Sequence, residues 1–145
     1  MSTNTSIDGA VRQEVGEVLV RYATAIDRRD WTLFRTCFTA DCEADYGDIG
    51  RWHGVDDLTD WMDRTHAGCG HTLHRITNVA VEARDVGVQA RSYVDALVLA
   101  PDNQTGIRAT GYYDDTLVPA PTGWQITHRH FTLVLTQPVA NGLTT

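Results

Sequence analysis

Apolar residues recur at three- and four-residue steps from Ile7 through Val11, Val15, Val18, Leu19, Tyr22 and Ile26. That spacing gathers one face of a helix and predicts that the face is buried. Asp30 follows, and its side-chain oxygen can take an orphan amide at the start of a short second helix through Trp31, Leu33, Phe34 and Phe38. CEADYG reads as a short strand. GVDDLTDWMDRTHAG then places Val55, Leu58, Trp61 and Met62 on one helical stripe, with acids on the other, and Gly68 and Gly70 close it.

Beyond this point the pattern turns from helical to extended. HTLHRITNVAVEA, VGVQARSYVDALVLA, GIRATGYYDDTLVPA and GWQITHRHFTLVLTQ are rich in Val, Ile, Thr and Tyr. Breakers separate them at Arg84-Asp85, at Pro101-Asp102-Asn103 and from Pro119 to Gly123. Helices first and long antiparallel strands afterwards predict an α+β domain in which about three helices pack on one face of a curved, mainly antiparallel sheet. The 145 residues fit one such domain, with residues 1–5 and 137–145 as loose tails.

Charge narrows the partners. Twelve Lys and Arg against 19 Asp and Glu give a formal charge of −7, which disfavours a nucleic-acid footprint or an anionic membrane surface. The N-terminus has no basic region followed by an apolar run, and no stretch approaches the ~20 apolar residues of a membrane span. Cys37, Cys42 and Cys69 are odd in number and form no CxxC. They point to reduced thiols and a cytoplasmic protein.

One local pattern runs against helix electrostatics. RYATAIDRRDW ends a helix on a carboxylate, Asp27, where the macrodipole prefers a cation. An ion pair with Arg28, Arg29 or a later arginine would explain it. So would a histidine elsewhere in the chain that needs an orienting carboxylate. His74 alternates with Thr72 and Ile76 and reads either as a satisfied sheet histidine or as that partner. Tyr22 fits the core face of its helix. Asp95 stands between Tyr93 and Leu97 on one strand face, toward either a pocket or solvent. His66, Cys69, His71 and His74 fall within nine residues, but their spacing is not that of a zinc site and no metal is expected. His128 and His130 share a strand face opposite Arg129 and read as a surface or interface pair.

RYATAIDRRDW with FTADCEADYG, then GVDDLTDWM, HTLHRITNVAVE and GYYDDTLVPAPTGWQITHRHF, together resemble the SnoaL-like family. That family lies within the cone-shaped fold of nuclear transport factor two, ketosteroid isomerase and scytalone dehydratase. The resemblance implies an apolar pocket between sheet and helices, no metal or organic cofactor, and a homodimer or higher homo-oligomer. It is closest to the dehydratase branch, which has an aspartate at the first helix end and a histidine on the first long strand. Asp27 and His74 occupy those positions, and Tyr22 matches a tyrosine five residues before the aspartate. Asp95 is the nearest candidate for an acid on the next strand, and Tyr46 for a second pocket tyrosine. Ketosteroid isomerases instead use a carboxylate base on the short early strand, where Asp45 lies.

The expectation is therefore a cofactor-independent dehydratase acting on an apolar cyclic, steroid-like or polyketide-like molecule. His74, Asp27 and Tyr22 would be catalytic, and Tyr46, Asp95, Trp61 and Tyr93 would contact substrate. An isomerase or polyketide cyclase using the same pocket, or a binding protein without chemistry, are the alternatives.

Overall fold

The computed structural model describes residues 6–121 and 123–142. The expected positions 1–5 and 143–145 lie outside the described residues. Helix α1 spans Gly9–Arg28 and starts where the Asp8 carboxylate accepts the Ala10 amide. Its buried residues are Val15, Val18, Leu19, Tyr22, Ala23, Ala25 and Ile26; the helical spacing picked out all of these but the two alanines, and its Ile7 and Val11 are partly buried against the core. Asp30 caps α2, Trp31–Arg35, by accepting the Leu33 amide at 3.0 Å. The helix ends sooner than the pattern suggested, because Phe38 already begins strand β1, Phe38–Asp45. A single tight turn, Gly47–Ile49, and a three-residue strand β2, Arg51–His53, lead into α3, Val55–Ala67.

Four long strands follow: β3 Thr72–Ala83, β4 Val88–Leu99, β5 Gly106–Ala120 and β6 Gly123–Val139. The sheet order is β2-β1-β6-β5-β4-β3, antiparallel throughout except for the parallel β1–β6 pair. Residues 137–139, expected to be loose, instead pair with Gly106, Ile107 and Arg108 of β5. Backbone pairing fixes them where the side chains gave no strand signal.

Register shifts bend the sheet around the helices. One lies between Thr77 and Ala80 of β3, where Asn78 takes a left-handed φ of 53°. Asparagine tolerates this conformation better than a branched residue. Another puts an extra residue, Thr127, into β6, so that Ile126 and Arg129 both turn inward although they are three apart. Such bulges increase curvature and re-aim side chains. The core fills the concave side: Leu19, Tyr22 and Ile26 from α1, Phe34 from α2 and Leu58 and Met62 from α3 meet Ala90, Val94, Tyr113, Leu117 and Ile126 of the sheet. No helix among the described residues is long and apolar enough to cross a membrane.

Candidate active site

Strand β3 is an edge of the sheet, and an edge strand carries amides without a strand partner. The end of α1 covers this one. Asp27 Oδ2 accepts the His74 backbone N–H at 2.8 Å, while Oδ1 lies 2.7 Å from His74 Nδ1 and accepts the Thr72 hydroxyl at 3.0 Å. A carboxylate can only accept, so Nδ1 carries the ring hydrogen and Nε2 presents a lone pair. Both side chains are largely buried, at 20% and 10% exposure for Asp27 and His74. Burial pushes the Asp27 carboxyl up, but the hydrogen bonds and charge of His74, with Thr72, more than offset it. The net pKa lies below the ordinary value.

The awkward helix end is compensated by Arg29, which takes the left-handed conformation at the α1 C-cap with φ 57°. Its guanidinium donates to the Ile26 carbonyl at 2.9 Å, the Gly70 carbonyl at 2.6 Å and the Thr72 hydroxyl at 2.7 Å. A cation thus satisfies a carbonyl of the last turn of α1, that of Ile26. Thr72 passes its own hydrogen to Asp27, so one chain of bonds runs from Arg29 through Thr72 and Asp27 to His74.

A second imidazole stands beside this chain. His66, on the last turn of α3, is buried, with Nδ1 2.7 Å from the Met62 carbonyl. Its ring centre is 6.2 Å from that of His74 and 5.9 Å from that of Trp31. Burial, above all, lowers its pKa below the ordinary histidine value.

Further inside lies a group of hydroxyls. Tyr22 Oη is 2.9 Å from Tyr46 Oη and 3.3 Å from Tyr113 Oη. Beneath them Arg129 is paired twice with Asp115, at 2.8 and 2.9 Å, and both side chains are fully buried. The guanidinium carbon sits 4.1 Å from the Tyr22 ring centre and 3.8 Å from that of Tyr113, and Arg129 reaches Tyr46 Oη at 3.5 Å. Burial pushes the Asp115 carboxyl up. The two-pronged geometry and the stacked rings hold the Arg129 cation, and the ionised pair is the state we assign. Burial also raises all three tyrosines, which stay protonated and able to donate.

No hydrogen bond among the described residues joins the two groups. Asp27 follows Tyr22 by five residues, about 7.5 Å of rise along α1. Rings bridge the interval: Tyr22 lies 5.7 Å from Phe34, Phe34 5.6 Å from Trp31, and Trp31 packs on His66. The interior therefore has an acid–base pole at Asp27–His74 and a hydroxyl pole at Tyr22–Tyr46–Tyr113.

The model of the SnoaL-like domain family matches residues 10–130 of the chain. The chain belongs to the SnoaL-like family. This SnoaL-like chain is 31% identical over 125 residues to the uncharacterized protein Rv2910c of Mycobacterium tuberculosis, which covers 81% of this chain and 82% of the relative. Among solved structures it is similar to a candidate scytalone dehydratase from Novosphingobium aromaticivorans, with a TM-score of 0.79 at 19% identity over 90% of this chain and 91% of that one. It is also similar to the hexachlorocyclohexane dehydrochlorinase LinA-type3 from Novosphingobium barchaimii, with a TM-score of 0.80 at 17% identity over 94% of each chain. The likeness at these identities is one of fold, the cone of helices and curved sheet.

Within this SnoaL-like domain the expected residues divide. Asp27 and His74 meet, and Tyr22 and Tyr46 meet. Trp61 packs on Trp52 with ring centres 4.4 Å apart, and Trp52 meets Tyr46 edge-on at 5.5 Å, which places Trp61 at the hydroxyl end. Asp95 and Tyr93 are corrected: they lie on the outer face of β4, opposite to His74. Asp95 is held there between Arg75 at 2.6 Å and Arg108 at 2.8 Å, and Tyr93 is half exposed. Alternation along SYVDALVL fixed which residues share a face but not which face turns inward. The inward acid is Asp115. Asp45 serves a turn, accepting the Gly47 amide at 2.9 Å and pairing with Arg51.

Arg129, Asp115, Tyr113, His66, Thr72 and Arg29 were not singled out as site residues. Two had a usable signal: Arg29, as a cation next to an acid at a helix end, and His66, in the same cluster as His74. His128 and His130 do share the outer face, near Glu43 and Asp45 of β1. Burial pushes the Cys37 and Cys42 thiols up to about 11, so neither is an activated nucleophile. Among the described residues no three His, Cys, Asp or Glu side chains converge on a metal position.

Proposed function

We propose that this SnoaL-like domain is a cofactor-independent lyase that removes water from an apolar cyclic molecule, steroid-like or polyketide-like in outline. The observation that carries the reading is the Asp27–His74 pair, in which the carboxylate fixes Nδ1–H and leaves Nε2 as a proton acceptor. His74 Nε2 takes a proton from the carbon next to a carbonyl, and the electron pair passes toward that carbonyl oxygen. The carbon–oxygen bond of a neighbouring hydroxyl then breaks, and the proton held on Nε2 goes to the departing oxygen as water. Asp27 keeps the ring in the right tautomer and favours the imidazolium while it lasts. A hydroxyl of the tyrosine group, Tyr22 or Tyr46, donates to the carbonyl oxygen as negative charge develops. Ile76, Val94 and Ala96, which neighbour His74 on the concave face, suit an apolar ring system better than a charged substrate.

The test is incubation with a panel of cyclic β-hydroxyketones, with products read by mass. Loss of one water is the expected result, and replacing His74 by alanine should lower turnover by ~10² or more while ligand affinity changes little. Products of unchanged mass would assign isomerisation or cyclisation, and binding without turnover would assign a carrier. A second copy of the chain is the partner we propose for the outer sheet face, where Leu73, Tyr93 and Leu135 are exposed. Sedimentation showing only monomer at high concentration would refute it.

A further inference from the structure

The Met62 carbonyl lies as close to His66 Nδ1 as the Asp27 carboxylate does to His74 Nδ1, 2.7 Å in each case. A carbonyl oxygen only accepts, so the hydrogen of the His66 ring resides on Nδ1, and Nε2, on the far side of the ring, is an acceptor. Two imidazoles with centres 6.2 Å apart thus each have an unprotonated Nε2. Neither Nε2 takes a hydrogen bond among the described residues. Neither is among the fully buried side-chain polar atoms without a partner, which among the described residues are Thr39 Oγ1 and Ser92 Oγ.

The two rings differ in what they can do next. Asp27 contacts His74 and not His66, so the imidazolium formed in the elimination has a carboxylate at 2.7 Å on His74 and none in contact with His66. With an imidazolium that close, and with the Arg29 cation near, a second proton on buried His66 is opposed by charge repulsion and by lost hydration. Asp27 is the acid that favours it, from a greater distance, and Trp31 closes the other side without a charge. Once His74 has taken a proton, one ring offers a donor, His74 Nε2–H, and the other, its centre 6.2 Å away, an acceptor, His66 Nε2.

We propose that His66 is a specificity residue that seats the departing group as a hydroxyl: the substrate's O–H donates to His66 Nε2 while its oxygen accepts from His74 Nε2–H. This rests on the elimination described above and names its leaving group. The carbon–oxygen pair goes to oxygen, the Nε2 proton of His74 moves to it, and water forms. His66 neither gains nor loses a proton. A chloride in the same seat has no hydrogen to give, and it would set its lone pairs against that of His66. An unpaired buried acceptor is what lets a site reject an analogue lacking the hydroxyl.

The experiment is nitrogen-15 NMR of the full chain at neutral pH, with cyclohexanol and chlorocyclohexane as probes. The expected result has His66 Nε2 unprotonated, cyclohexanol shifting His66 Nε2 by donating its one hydrogen there, and chlorocyclohexane leaving His66 Nε2 unmoved. His66→Phe, which keeps a ring against Trp31, should weaken cyclohexanol by about tenfold, the worth of one neutral hydrogen bond, and leave chlorocyclohexane binding unchanged. A hydrogen on His66 Nε2, or cyclohexanol moving His74 alone or neither ring, overturns the proposal. The wild-type spectra decide even if the variant does not fold. Failure of the elimination looks different: His66 responds to the alcohol, yet His74→Ala retains turnover.

Discussion

Asp27 holds His74 at two points, its side-chain Nδ1 at 2.7 Å and its backbone amide at 2.8 Å. One carboxylate therefore closes the edge of the sheet and sets the tautomer of the ring. Asp27→Asn separates these roles. The amide has one acceptor and one donor end, and an acceptor kept for the backbone turns NH₂ toward Nδ1, which drives the ring hydrogen to Nε2. Turnover should fall by ~10²–10⁴, while stability falls by only about 1–3 kcal/mol. Nitrogen-15 NMR reads the tautomer and urea melts read the stability. An unchanged tautomer would remove Asp27 from the mechanism.

Arg29 tests how the helix end is stabilised. It takes a left-handed conformation that glycine adopts without cost, yet it also donates three hydrogen bonds. Arg29→Ala loses the bonds and keeps the strain, whereas Arg29→Gly loses the bonds and relieves it. Alanine should be the worse replacement by about 1 kcal/mol, measured as a difference in urea midpoint at constant slope. Equal midpoints would mean that the cap geometry relaxes.

Arg129 and Asp115 form an ion pair with no exposure. Removing one partner leaves a buried charge, and Arg129→Met should cost about 3–5 kcal/mol. The double change Arg129→Met with Asp115→Leu should recover a large part of that loss. Denaturant melts of the two singles and the double measure the coupling. Additive losses would show that stacking on Tyr22 and Tyr113, and not the charge pair, dominates.

Much of the frame was legible in the chain. The three- and four-residue steps from Ile7 to Ile26 gave α1, Asp30 gave the next cap, and the Thr, Val and Tyr runs gave four long strands. Asp27 was conspicuous because a carboxylate at a helix C-terminus conflicts with the dipole, and the family resemblance supplied His74 as its partner. The hydroxyl pole was only half visible. Tyr22 and Tyr46 were noted, but nothing in GYYDD distinguishes Tyr113 and Asp115, which face inward, from Tyr112 and Asp114, which do not. Simple alternation from Ile126 also turns Arg129 outward. The bulge at Thr127 reverses it, and a bulge depends on pairing with β5 that no local pattern records. Asp95 went astray for the same reason: period two defines two faces and leaves open which one the helices cover.

The acid side of the stability profile should show two separate steps, because two groups at the site have depressed pKa values for different causes. Asp27 lies below an ordinary carboxylate, so its stabilising contribution is complete above about pH 4. It is lost as the pH falls through the depressed native value, since the unfolded chain takes the proton first. His66 is kept neutral in the fold by burial. The unfolded chain protonates it near pH 6.5, so stability starts to decline there and keeps falling until the native ring also titrates. One proton gives a slope of at most about 1.4 kcal/mol per pH unit. Urea midpoints of wild type, His66→Phe and Asp27→Asn across the acid range separate the steps. His66→Phe should flatten the profile just below pH 6.5 and keep the lower step, and Asp27→Asn should do the reverse. A profile for His66→Phe parallel to wild type between pH 6.5 and 5 would show that the ring is already charged in the folded protein, and the accept-only role assigned to it would fall as well.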